Sequence, residues 1–96
     1  GEALTRNARG LKYVSHIYKI VYGKVIERCI KDLIGKSPQL RGDAIDYLHS
    51  DLFVKHCKLA EYPEGLRETL DEMIQLSSFE QKFVADKVLD LLEEDA

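Results

Sequence analysis

The stretch LKYVSHIYKIVYGKVIERCIKDL, Leu11–Leu33, decides the fold. Its apolar residues Val14, Ile17, Tyr18, Val21 and Val25 recur at steps of three and four, which is the period of a helix and not the alternation of a strand. At about 100° per residue these five share one face, while Arg9, Lys12, His16 and Lys19 fall opposite. A basic stripe thus backs an apolar one. Beyond Gly23 the apolar centre moves around the cylinder to Tyr22, Ile26, Cys29, Ile30 and Leu33. The helix therefore either bends at the glycine or meets different neighbours along its length.

The chain downstream reads as four shorter helices. Gly35 stops the first, and Ser37-Pro38 opens the second with a capping hydroxyl and a proline whose missing N–H costs nothing at the first helical position. This second helix carries Leu40, Ala44, Ile45 and Leu48. Ser50 or Asp51 caps a third, nearly continuous with the second, whose apolar face holds Leu52, Phe53, Cys57 and Ala60. Tyr62-Pro63 forces a turn. A fourth helix from about Glu64 spaces Leu66, Leu70, Met73 and Ile74 along one side, and Glu64 suits its dipole. Ser77 followed by Glu80 is a capping box for the last helix, with Phe79, Phe83, Val84, Val88, Leu89, Leu91 and Leu92 expected inside. Among the aromatics Tyr47, Phe53, Phe79 and Phe83 are assigned to the core, and Tyr13 and Tyr22 to its edge.

The expected fold is all-α: a compact bundle of about five helices with a helix–turn–helix-like core, forming one domain over residues 1–96 with 1–10 as a flexible basic arm. With 96 residues, 45% of them hydrophobic, there is core material for one small domain and none for a multidomain enzyme. No apolar run approaches the roughly 18 residues that span a bilayer, so no membrane partner is expected. The opening at Gly1 reads as a trimmed end without a signal peptide, and the chain as cytoplasmic. Cys29 and Cys57 lack the spacing and context of a bridge and are expected to be reduced and structural.

No residue set meets the needs of catalysis. His49, His56 and Cys57 are too few for a structural zinc site, and the adjacent His56 and Cys57 point about 100° apart on a helix. A Cys-His nucleophile lacks any oxyanion signature, and the many carboxylates sit where amphipathic helices carry solvated charge. No metal and no cofactor are expected, and the chain is read as a protein without enzymatic activity.

Charge is the more informative feature. The net −3 divides into +6 over residues 1–42 and −9 over residues 43–96. Such asymmetry either draws the two halves together or builds an interaction surface. A helix–turn–helix runs from Asp51 to Ile74, with Cys57 and Ala60 as small packing residues and Tyr62-Pro63 as the turn. Its second helix, however, carries Glu64, Glu68, Asp71 and Glu72 against Arg67 alone, the wrong sign for a phosphate backbone. The nucleic-acid candidates are instead Arg6, Arg9, Lys12, His16 and Lys19, with Tyr13 beside them.

The stretch from Gly42 to Arg67 resembles small proteins of phages and prophages. The shared positions are Asp43, Ala44, Tyr47, Leu48, Ser50, Asp51, Phe53, Cys57, Ala60, Pro63, Leu66 and Arg67; where that pattern has Gly after the Ala, this chain has Glu61, and its turn is a residue shorter. The family has no assigned activity, so the resemblance implies a mobile-element setting in a bacterial cytoplasm and a regulatory role. Two functions are expected from these readings. One is a regulator that meets nucleic acid, or the machinery that handles it, through its basic N-terminal helix. The other is an anti-CRISPR-like inhibitor whose acidic half imitates nucleic acid before a host or defence complex, with Glu64, Arg67, Glu68, Asp71 and Glu72 as the partner-binding surface. A homodimer is expected as well, because the first and last helices offer more apolar face than one small domain hides.

Overall fold

The computed structural model describes the backbone of residues 2–94 and the side chains of residues 14–93. The chain is an all-α bundle: α1 (Glu2–Leu33), α2 (Pro38–Leu48), α3 (Asp51–Leu59), α4 (Leu66–Met73) and α5 (Ser78–Glu94). The helix starts follow their capping chemistry. Ser37 Oγ accepts the Leu40 N–H at 3.3 Å with Pro38 in the first turn, and Ser50 Oγ accepts the Phe53 N–H at 3.4 Å. Ser77 Oγ accepts from the Glu80 N–H at 3.3 Å and donates to Glu80 Oε1 at 2.7 Å, so the capping box forms. The fourth helix starts at Leu66, which leaves Glu64 in the preceding turn.

α1 runs unbroken through Gly23, so the shift of its apolar face reflects a change of neighbours. Ile26, Ile30 and Leu33 have no solvent exposure, and Cys29 is buried between them; α2, α3 and α5 pack around this half of α1. Ala44, Leu48, Phe53, Cys57, Leu66, Leu70, Met73, Ala85, Val88 and Leu92 complete the core. Before Lys19 the described residues of α1, Val14–Tyr18, are exposed. The molecule measures 58 × 25 × 20 Å, and its radius of gyration of 15.8 Å exceeds the about 13 Å of a 100-residue globule.

Val14, Ile17, Tyr18, Val21 and Val25 share a face as the periodicity requires, and that face is exposed, because it points away from the Ile26–Leu33 side that the other helices cover. On α5 an expectation about burial is corrected. Phe79 is 84% exposed, Phe83 58% and Leu91 60%. The core face of α5 is instead Gln81, Ala85, Val88 and Leu92, with Phe83 on the outside under the Lys87 ammonium at 5.5 Å. Tyr47 and Phe53 do pack inside, edge to face.

Polar side chains close the helix ends. Gln81 is buried, and its amide nitrogen donates to the carbonyls of Ile74 (3.3 Å) and Leu76 (2.8 Å) where α4 ends. Arg67 does the same at the end of α2: Nε donates to the Leu48 carbonyl at 2.9 Å and the guanidinium Nη2 to the Ser50 carbonyl at 2.7 Å. Without that fork two carbonyls at the junction of α2 and α3 lose their donors. Arg67→Ala is therefore expected to destabilise the fold by about 2 kcal/mol, and Arg67→Lys to recover little of it because an ammonium lacks the fork. Urea unfolding of the three proteins measures both.

α3 ends in a Schellman turn, with the Tyr62 N–H on the Cys57 carbonyl at 2.9 Å and the Glu61 N–H on the Lys58 carbonyl at 3.1 Å. The turn places Glu61 at φ 60°, where a side chain is strained and glycine is not. Glu61→Gly is expected to raise stability by roughly 0.5–1 kcal/mol, the left-handed strain outweighing the extra freedom of the unfolded chain and one exposed ion pair. The urea midpoint should rise with an unchanged slope.

Candidate nucleic-acid interface and acidic cleft

The Schellman turn also places the next residue. Tyr62 lies across α1 at Gly23, where an added Cβ would sit 2.9 Å from the tyrosine hydroxyl; the glycine is there for close approach and not for a bend. Beside it Lys19 Nζ pairs with Glu61 at 3.3 Å, and the lysine side chain is only 29% exposed. His16, Lys19, Ile20, Gly23, Lys24, Glu27 and Tyr62 line a shallow depression where α1 leaves the bundle. Of the five basic candidates, then, Lys19 is held against the bundle and His16 is exposed at its margin. The side chains of Arg6, Arg9 and Lys12, with Tyr13, lie outside the described residues, as does the behaviour of 1–10 as an arm; the helix itself is drawn from Glu2. The sequence adds one fact: from Ala3 to Ile26 there are five Lys or Arg and no acid.

The acidic candidates divide differently. Arg67 is turned inward onto its two carbonyls, and Asp71 is bound to His49 at 2.6 Å, tying α4 to the end of α2. Glu72 is exposed. Glu64 and Glu68 stand on the lip of a cleft of about 330 Å³ between α3, the turn and α4. Its floor is apolar, with Phe53, Val54, Cys57 and Tyr62, and Lys58 and Arg67 complete the rim. Among the described residues neither Glu64 nor Glu68 takes part in an ion pair. Residue spacing had no means of showing this cleft, since it is made by the six-residue connection 60–65, longer than the three or four residues of a DNA-reading turn.

A third cluster joins the helices at their centre. His56 stacks on Tyr22 with ring centroids 4.5 Å apart, and its Nδ1 is hydrogen-bonded to the Tyr47 hydroxyl at 2.6 Å. Burial pushes the Tyr47 phenol up, with nearby Cys29 adding to the shift, and burial likewise raises Tyr62. Both cysteines are free, and the Cys29 thiol points at the Ala44 carbonyl at 3.6 Å. Burial, helped by the Asp32 carboxylate, pushes Cys29 up to about 12, and burial pushes Cys57 up to about 11 against the pull of Arg67. Thiolates are the nucleophilic and metal-binding form, so neither cysteine is chemically active near neutrality. Among the described residues no group of three His, Cys, Asp or Glu is arranged to hold a metal ion.

The chain matches no protein-family model, no curated protein and no solved structure.

The thiols make pH a usable probe. Since folding holds both in the neutral form, the stability they contribute is fully present below the ordinary thiol value of 9.0 and is lost as pH rises towards about 11 and 12. Alkaline titration of the unfolding midpoint is expected to show a decline beginning near pH 9, made shallower in Cys29→Ala, where Cys57 alone still contributes. Both native thiols should react slowly with an exposed-thiol reagent at pH 8, and quickly once unfolded in urea.

Proposed function

We propose that this chain is a non-enzymatic regulatory protein of a mobile-element setting that binds nucleic acid through the part of α1 projecting beyond the bundle. The observation that carries the reading is the acid-free run Ala3–Ile26, five Lys or Arg on one continuous helix. Cations concentrated in this way contact phosphates without reading bases, since counterion release supplies most of such affinity. The opposite charge lies in the bundle: α4 exposes Glu68 and Glu72, which excludes it as the helix that enters a groove despite its place in the helix–turn–helix order.

The site residues carry unequal weight. Arg9 and Lys12 lie beyond the stretch that Tyr62 and Glu61 cover, whereas Lys19 must leave Glu61 before it reaches a phosphate. Fluorescence anisotropy on labelled duplex and single-stranded DNA is expected to show binding that weakens steeply with salt. Replacing Arg9 and Lys12 together should flatten the logarithmic salt slope by about 2, and Lys19→Ala by less than 1. No association with either form at low salt would refute the reading.

A second reading is favoured by the cleft. Two unpaired acids over an apolar floor fit a partner segment that carries an apolar anchor beside a cation, the arrangement an inhibitor of a nucleic-acid-handling protein would use. The same titration separates the two, because charge reversal at Glu64 and Glu68 would leave DNA binding through α1 intact.

A further inference from the structure

The exposed apolar face of α1 has a stricter order than amphipathicity needs. Val14 and Val21 are seven residues apart, as are Tyr18 and Val25, and the two columns interleave at steps of four and three. In sequence the Tyr18–Val25 column continues back to Leu11 and Leu4 with the same spacing of seven. This is the a/d repeat of a coiled coil, with Leu4, Leu11, Tyr18 and Val25 at a, and Asn7, Val14 and Val21 at d. A repeat of 3.5 keeps its seam aligned only against another helix that winds with it. No helix of the same chain fills that place: Val14, Tyr18, Val21 and Val25 are 39, 44, 47 and 38% exposed.

We infer that α1 pairs with α1 of a second copy along this seam. The charges in the register favour a copy over a different helix. The flanking e and g positions are Ala8, Gly10, Ser15, Ile17, Tyr22 and Lys24, of which only Lys24 is charged. Arg6, Arg9, Lys12, His16 and Lys19 all fall at b, c or f, away from the seam. A second copy therefore meets no row of like charges, and a foreign acidic helix finds almost no cations on the flanks to select it. Area agrees with this occupant. A standard interface covers about 800 Å² on each partner, and the side chains at 14, 17, 18, 21 and 25 supply roughly half of it, so the Leu4 and Leu11 heptads are needed for the rest. The pairing stands independently of nucleic-acid binding, since the two use opposite faces of the helix.

Sedimentation equilibrium of the full chain tests it. The expected mass is twice 11.0 kDa at high micromolar concentration and falls to 11.0 kDa on dilution. Val21→Glu should raise the dissociation constant by about tenfold or more, with far-UV circular dichroism and the urea midpoint of the bundle unchanged. If that variant loses helix, Tyr18→Gln, which keeps a good helix former at the seam, is expected to weaken pairing in the same sense. Phe79→Ser with Phe83→Ser should leave the dimer intact. A mass of 11.0 kDa at every concentration would overturn the inference, and so would a dimer that survives both seam variants or is lost only with the phenylalanines. Seam-dependent partition of a monomeric chain onto phosphatidylserine vesicles would overturn it too, by showing that the face meets lipid.

Discussion

Ile26, Ile30 and Leu33 are wholly removed from water, and the placement of the other helices follows from covering them. They lie on successive turns of α1, so the surface to be hidden is a stripe one helix wide. α2 and α3, separated only by His49 and Ser50, pack on it, and α5 contacts it as well. Burying three aliphatic side chains contributes several kcal/mol, on the scale of the net stability of a small domain. The stripe ends near Gly23, where Tyr62 lies across α1, and the last bundle contacts before it are Tyr22 on His56 and Lys19 on Glu61.

Short helices place many backbone groups near their ends, and this fold meets the difficulty with side chains sent from one helix to the end of another. Arg67 of α4 serves the end of α2, and Gln81 of α5 serves the end of α4. Each contact is specific in direction, which fixes the order and angle of helices whose apolar faces alone would accept several arrangements. The cost falls on function: an arginine that sequence alone offers to a partner is consumed inside the fold, and Asp71 is held by His49.

Local chemistry was legible from the chain. The Ser37, Ser50 and Ser77 caps sit at the helix starts, and the move of the apolar centre to Ile26, Cys29, Ile30 and Leu33 marks the true core face. What periodicity does not carry is whether a face is covered. Phe79 and Phe83 repeat at helical spacing as faithfully as Ala85 and Val88, yet the fold turns Gln81, Ala85 and Val88 inward, with Gln81 bonded to the end of α4. Long-range pairings are invisible in the same way. Lys19 and Glu61 are brought together only because a Schellman turn projects residue 61 towards α1, and the cleft under Glu64 and Glu68 exists only once α3 and α4 are set apart by their connection.

The opposed charge of the two halves raises the question of why they do not neutralise each other. Among the described residues one ion pair, Lys19 with Glu61, links the basic region to the acidic one; the Arg28–Asp32 and His49–Asp71 pairs each lie within a region. Geometry explains this, since Val14–Tyr18 of α1 are exposed and the helix reaches the acidic region through an ion pair only at Lys19. Lys24 stays exposed beside that margin, as do Glu68 and Glu72 on α4, so among the described residues much of each charge remains open to solvent.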